Sequence, residues 1–385
     1  MHSTERRLES ALLAVASELE AVGANLTIES PLGSLLRIGR HPAAARVVFR
    51  DRRGLDALRR RDHLALAEGY VEGHIEVEGD LIEAVKVTEV IPPDPGRCAR
   101  AAQALRLLLR DRKSLNRESI AFHYDRPPDF FLPWFERWRS YSHGFYRSAG
   151  DDLEEAQARK LRYALDALEL KPGSHVLDVG CGWGSFLEFA GREGVHVHGI
   201  TISKRQHAFI DALIREHRLP CSVELMDFFD YRPRRRFDGA VFMGSLEHVL
   251  DYRRAARFLA EHLTPAGRVY ADFCAQLDEH RIGAFLARHV WPGSAAYVRL
   301  PRLLDAIARA GFHVHRVRDD TKSYALTVRD WADRLSAVQG ELSRDFGEQG
   351  VRTFLLYLRA AQYYFEQGKT QAYHLVAARE PASLA

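Results

Sequence analysis

Val176-Leu-Asp-Val-Gly-Cys-Gly-Trp-Gly184 constrains the fold more than any other stretch of this chain. A short apolar run, Val176 to Val179, passes directly into glycines at 180, 182 and 184. A glycine turn straight after a buried strand lets backbone approach a ligand with no Cβ in the way. In open α/β sheets that approach happens at the carboxyl ends of the strands. The spacing is G-x-G-x-G from Gly180, not the G-x-G-x-x-G of a diphosphate-cofactor loop, and no Walker lysine accompanies it. A diphosphate cofactor is therefore disfavoured.

The surrounding chain alternates in period. Val195 to Thr201, Cys221 to Leu225, Phe237 to Met243 and Arg268 to Phe273 read as strands. Ser185 to Arg192, Ser203 to Glu216 and Leu250 to Leu263 read as helices between them. This alternation predicts an α/β fold with a parallel sheet covered on both faces. Phe285 to Leu300 and the region after Asp330 read as mainly helical. The N-terminal part differs. Residues 8 to 23 have helical spacing, Leu26 to Phe49 reads as short strands joined by turns, and Arg52 to Asp62 as a polar helix. Ile91 to Gly96 carries three prolines and reads as a linker. The expected organisation is a small α+β domain over 1–90, a linker and basic helix over 91–116, and a catalytic domain over 117–385.

Composition narrows the function classes. Four cysteines are widely spaced with no CxxC pair, so neither a disulfide framework nor a zinc site is expected, and no metal. A reducing, cytoplasmic setting follows. No apolar run is long enough to span a bilayer. Net charge is +3. The arginine clusters at 59–61, 97–113 and 234–236 read as solvated faces or as a surface drawn to anionic lipid. They lack the interleaved aromatics of a nucleic-acid binder, so no nucleic acid is expected. The basic 97–112 helix reads as packed on its own protein or as lying at a membrane interface.

The glycine loop fits the first loop of a methyltransferase, which cradles the methionine part of S-adenosylmethionine. The acid expected after the next strand is absent; Thr201, Ser203 and Gln206 stand in its place, and Asp227 is available to the adenine amino group. Val-Leu-Asp-Val-Gly-Cys-Gly-Trp-Gly followed by Gly-Ile-Thr-Ile-Ser-x-x-Gln resembles the cyclopropane fatty acid synthase family, including mycolic acid cyclopropane synthases. Further segments resemble it in order: His123-Tyr124-Asp125, Asp129-Phe130-Phe131, Tyr141-Ser142, Leu153 to Gln157 with Lys160-Leu161, Phe237-Asp238, Glu247-His248-Val249, Pro292-Gly293, and Tyr324, Thr327 and Trp331. Glu68-Gly69-Tyr70 through Asp80-Leu81 is similar to the N-terminal domain of full-length bacterial members. His248 reads as structural.

The resemblance implies a Rossmann-like class I methyltransferase fold with a small α+β N-terminal domain and a helical lid or insert. It implies S-adenosylmethionine as cofactor, held by Tyr141, Ser142, Asp178, Gly180, Gly182, Gly184, Thr201, Ser203, Gln206 and Asp227. It implies one-carbon transfer to the double bond of an unsaturated phospholipid acyl chain, by an enzyme peripheral to the inner membrane face; a homodimer stays open. Family members hold bicarbonate as the base, and Glu247 and Tyr324 match two of its ligands. The family's cysteine is His143 here and its histidine is Asp272. Two readings follow: His143 holds bicarbonate in the cysteine's place, or bicarbonate is not used and its work falls to a neutral His143 as general base or to a His143–Asp272 pair. The second fits a methylated or methylene product instead of a cyclopropane. Ten aromatic residues between Phe122 and Tyr146 suit both a core and an acyl tunnel that steadies a cation. Methylation of a non-lipid small molecule and non-catalytic lipid binding are the competing readings. The aromatic stretch counts against the first, the intact glycine loop against the second.

Overall fold

The computed structural model describes residues 13, 15–91, 126–249, 251–276, 283–291 and 297–380. The basic 97–112 helix, the 92–96 part of the linker, His123 to Asp125 and Pro292-Gly293 lie outside them. The chain forms two compact units.

The first unit combines the N-terminal residues with 282–292 and 336–363. Its sheet has the order β2-β1-β3-β4, made of β1 (Leu26–Glu29), β2 (Leu35–Ile38), β3 (Ala45–Phe49) and β4 (Ile75–Gly79). Residues 15–21 are helical, within the 8–23 segment expected to be so. Two further helices, α1 (Arg52–Arg59) and α2 (His63–Val71), start where aspartates cap them. Asp51 accepts from Arg53 N at 2.8 Å, and Asp62 from Ala65 N at 3.0 Å. Val15, Leu19, Leu26, Ile28, Leu55 and Leu58 share one core. Arg352 donates to the carbonyls of Tyr70 and Ile75 at 2.7 and 2.9 Å, and its guanidinium lies 4.4 Å from the Tyr70 ring centre. The 59–61 arginines are tied down: Arg61 pairs with Glu18 at 2.6 Å and Arg59 with Asp56 at 3.3 Å.

The second unit holds a seven-stranded sheet of order β10-β11-β9-β8-β5-β6-β7. Its strands are β5 (His175–Val179), β6 (His196–Thr201), β7 (Ser222–Leu225), β8 (Phe237–Met243), β9 (Leu263–Ala275), β10 (His313–Asp319) and β11 (Gln371–Ala378). The flanking helices are α3 (Leu153–Ala167), α4 (Ser185–Arg192), α5 (Lys204–His217), α6 (Tyr252–His262) and α7 (Leu300–Arg309). Alternate strand residues face opposite cores. Val176, Val241 and Val376 join Leu161 of α3, Phe186 of α4 and Ile210 of α5. Leu177, Phe242 and Leu375 join Leu259 of α6 and Leu303 of α7. Covering both faces is what makes the central strands apolar at consecutive positions.

Two features depart from the sequence reading. Part of the region after Asp330, expected to be mainly helical, is the strand β11, which runs antiparallel between β9 and β10. Its His374-Leu-Val-Ala-Ala run is buried on both sides, and a short apolar run has no period that separates strand from helix. The sheet is therefore mixed, not wholly parallel. The rest of that region does form long helices, α8 (Thr321–Phe346) and α9 (Glu348–Glu366).

β5 pairs with β6 on one side and β8 on the other, both parallel. The chain order thus reverses at β5, and a crevice opens at its carboxyl end. The glycine turn sits there, with φ of 74° at Gly180 and 54° at Gly182.

Candidate active site

Tyr141, Ser142, Asp178, Gly180, Gly182, Thr201, Gln206 and Asp227 line one cleft at this crevice. Three loops meet there at close range. A Cβ on Gly180 would lie 2.6 Å from Ser245 Cβ, and one on Gly244 2.9 Å from Ser142 Cβ. A Cβ on Gly182 would meet nothing within 4 Å, so this backbone faces open space. Thr201 Oγ1 donates to Gln206 Oε1 at 2.8 Å and so fixes the amide. Asp227 accepts from Phe229 N at 2.9 Å, beside the apolar walls of Met226 and Phe228. Such walls with a few polar groups suit an adenine nucleoside.

Two expected cofactor residues lie outside the cleft wall. Ser203 instead caps α5, its Oγ accepting from Gln206 N at 3.3 Å. Gly184 faces α5, where a Cβ would come 3.3 Å from Ile210 Cγ1. Both hold the cleft's frame instead of its surface. His248, expected to be structural, lines the cleft, and burial pushes its imidazole down to about 4.

Beneath the cleft lies a buried ionic layer absent from the sequence reading. Lys160 Nζ donates to Ser142 Oγ at 2.7 Å and sits 3.9 Å from Asp272 Oδ2. Asp272 also accepts from Gly244 N at 2.9 Å and from the Tyr270 hydroxyl at 3.4 Å. Gln157 Nε2 donates to Ser142 O at 2.7 Å. Burial, with the charge of Asp272, raises Asp178 to about 7 against the pull of Lys160. Lys160 could have been suspected: it continues the buried stripe Leu153, Ala156, Gln157, Leu161 and Ala164 along α3.

A second buried group adjoins. Glu247 Oε1 accepts from Cys274 N at 2.6 Å, and burial raises its carboxyl to about 7. Burial and the nearby Glu247 carboxyl push the Cys274 thiol up, with Tyr324 beside it. The His143 ring lies 5.0 Å from that of Tyr324, centre to centre. His143 does not pair with Asp272, the partner that one of the two sequence readings gave it. Its Nε2 lies 3.2 Å from Asp320 Oδ2, and the same oxygen takes His374 Nδ1 at 2.5 Å. Asp272 is committed to Lys160 and Gly244, while Asp320 comes from the β10–α8 corner. Burial opposes charge on Asp320, but the two imidazoles hold its carboxyl below the usual range.

A family model described as "Mycolic acid cyclopropane synthetase" matches residues 111–375. The chain belongs to the mycolic acid cyclopropane synthetase family. It is thus an enzyme of a class of S-adenosylmethionine-dependent methyltransferases. A "Probable fatty acid methyltransferase" of Pseudomonas putida is 29% identical over 82% of each chain. The "Cyclopropane-fatty-acyl-phospholipid synthase" of Escherichia coli is 29% identical, over 67% of this chain and 66% of its own. The solved structure of a cyclopropane synthase of Mycobacterium tuberculosis, 26% identical, superposes with a TM-score of 0.63 over 68% of this chain and 98% of its own.

Within this family frame the donor set fits an added bicarbonate poorly. Asp272 is wholly buried, and its charge already raises Glu247 and Asp178. A further anion beside Glu247 would add charge next to a carboxyl that burial and Asp272 already push up. No group of three metal-binding side chains occurs among the described residues.

Proposed function

We propose that this family member transfers a one-carbon unit from S-adenosylmethionine to the double bond of an unsaturated phospholipid acyl chain at a membrane surface. The observation that carries the reading is an aromatic cluster built onto the cleft. Tyr141 lines the cleft, and its ring lies 5.2 Å from both Phe135 and Trp331. Trp134 and Phe131 pack behind them, 6.1 and 5.7 Å from Tyr141. Such faces suit an acyl chain and stabilise a cation formed on it. The names of the Pseudomonas and Escherichia relatives support fatty acyl and phospholipid substrates.

The sulfonium of S-adenosylmethionine supplies an electrophilic methyl group. The chain's residues do the rest. Gly180, Gly182, Thr201, Gln206 and Asp227 orient the donor. Lys160 and Gln157 hold Ser142, and with it the neighbouring Tyr141 and His143, so that donor and alkene meet in line. In this reading Glu247, Tyr324 and His143 are the residues placed beside the acyl double bond, and Asp272 anchors the loop at Gly244.

Release of S-adenosylhomocysteine on phospholipid vesicles tests the substrate class. Oleoyl vesicles should support release and stearoyl vesicles should not. Equal rates on both, or none on either, would overturn the acyl-alkene reading. Among the described residues no helix is long and apolar enough to cross a membrane.

A further inference from the structure

Alkylating an alkene leaves a cation that must lose a proton, so a base has to stand near the new bond. We infer that His143 is that base, and that Asp320 and His374 are the positioning residues that keep it in the active tautomer. The inference rests on the acyl-alkylation reading above.

The geometry gives the direction of every proton. Asp320 Oδ2 is an acceptor for both imidazoles, so His143 donates from Nε2 and His374 from Nδ1. His374 Nε2 is left to accept from the Tyr163 hydroxyl at 3.3 Å. With its proton fixed on Nε2, His143 presents a lone pair at Nδ1. That atom is buried and has no hydrogen-bond partner among the described residues. A buried imidazole nitrogen without a partner is costly unless a ligand meets it. His143 itself is wholly buried, one residue behind Ser142 of the cofactor-cleft wall and packed on Tyr324. This is the arrangement of a carboxylate-oriented histidine base, with the roles of the two ring nitrogens exchanged relative to the serine-protease triad.

The step balances. The alkene pair attacks the methyl carbon, S-adenosylhomocysteine leaves, and the acyl chain is left cationic. A C–H bond beside the cation then breaks. Its electron pair closes the ring or forms the new alkene, and its proton goes to His143 Nδ1. The resulting imidazolium is stabilised by Asp320. The groups facing His143 are Asp320 from the β10–α8 corner, Tyr324 from α8 and His374 from β11, with Tyr163 of α3 behind. Arg318 lies 3.7 Å from the far oxygen of Asp320, and Lys160 reaches the adjoining Ser142 but is matched by Asp272.

The test combines imidazole ¹⁵N spectra of the full chain with lipid alkylation in bicarbonate-free buffer, at several pH values. Wild-type His143 should carry its proton on Nε2 at neutral pH, and turnover should be indifferent to added bicarbonate. In Asp320→Asn one amide group replaces the oxygen that both imidazoles share: as NH₂ it drives the His143 proton to Nδ1, and as oxygen it keeps the tautomer but removes the charge that stabilises the imidazolium. The variant's kcat should fall about 10²–10⁴-fold, the range of a lost general base. Lipid KM and S-adenosylmethionine affinity should be unchanged, and the latter reports folding. His374→Gln keeps the Asp320–His143 bond and should lose less. A wild-type proton on Nδ1, an indifferent Asp320→Asn, or turnover that requires bicarbonate overturns the base role alone. Wild-type protein that binds S-adenosylmethionine yet alkylates no unsaturated lipid overturns the reaction, and the base role with it.

Discussion

Lys160 Nζ lies 2.7 Å from Ser142 Oγ, with both side chains sealed from solvent. The ammonium is the cation for a layer that also contains Asp272, Glu136 and Asp178. Removing one partner of a buried pair costs about 3–5 kcal/mol, since the other charge is left uncompensated. Lys160→Met should lose that much stability in urea and weaken S-adenosylmethionine binding, because Ser142 loses its anchor. A loss under about 0.5 kcal/mol, the size of a surface change, would contradict this.

The glycines of the cleft should separate into two kinds. Alanine at a left-handed position costs about 1–2 kcal/mol in backbone strain alone. Gly182→Ala should pay only that, since its methyl meets open space, but should lose S-adenosylmethionine affinity by about tenfold or more, or 1.4 kcal/mol. Gly180→Ala adds a methyl 2.6 Å from Ser245 Cβ, so overpacking of about 1–3 kcal/mol is added to the strain. Calorimetric titration and thermal melting distinguish the two. Equal behaviour would place the ligand elsewhere.

Much of this fold was legible because local chemistry marks it. Gly180 to Gly184 end β5 and start α4, and both boundaries of α4 read correctly from the sequence. Other features were not. Nothing local shows that His143 meets Asp320, 177 residues away. The choice of Asp272 followed from family positions, whereas the facing of β9 turns its carboxylate toward Lys160. Lys160 is a weak signal by itself, because a charged residue in an apolar stripe counts against the stripe until its partners are seen.

Glu136 gives the stability a pH signature. Burial raises its carboxyl to about 7, although Ser140 N at 2.7 Å and Trp138 N donate to it. Unfolded, it titrates near about 4.3. Between those values the folded chain binds more protons than the unfolded one, so this group's contribution falls as pH rises, by about 3 kcal/mol in all. Glu136→Gln does not titrate. The variant's stability relative to wild type should therefore improve by about that amount from pH 4.5 to above 7. A flat difference curve from urea unfolding would contradict the shift.

Arg352 should matter to the first unit and not to cofactor binding. Its side chain satisfies the carbonyls of Tyr70 and Ile75. Arg352→Met should cost about 1–3 kcal/mol for each carbonyl left unpaired. Hydrogen exchange should show that loss in α2 and β4, with S-adenosylmethionine affinity unchanged. Unaltered protection of those elements would contradict the assignment.

Carbon alkylation of an acyl double bond can be read out with trideuteromethyl-labelled S-adenosylmethionine. The purified chain would be incubated with the labelled donor and unsaturated phospholipid vesicles, and the released fatty acids analysed by mass spectrometry. Fatty acids one labelled carbon heavier are the expected product. Two retained deuteriums mean that the transferred carbon lost the proton, as in a ring or methylene product. Three mean that a chain carbon lost it, as in a methyl-branched alkene. Label on no acyl chain, with the donor bound, would contradict the alkylation.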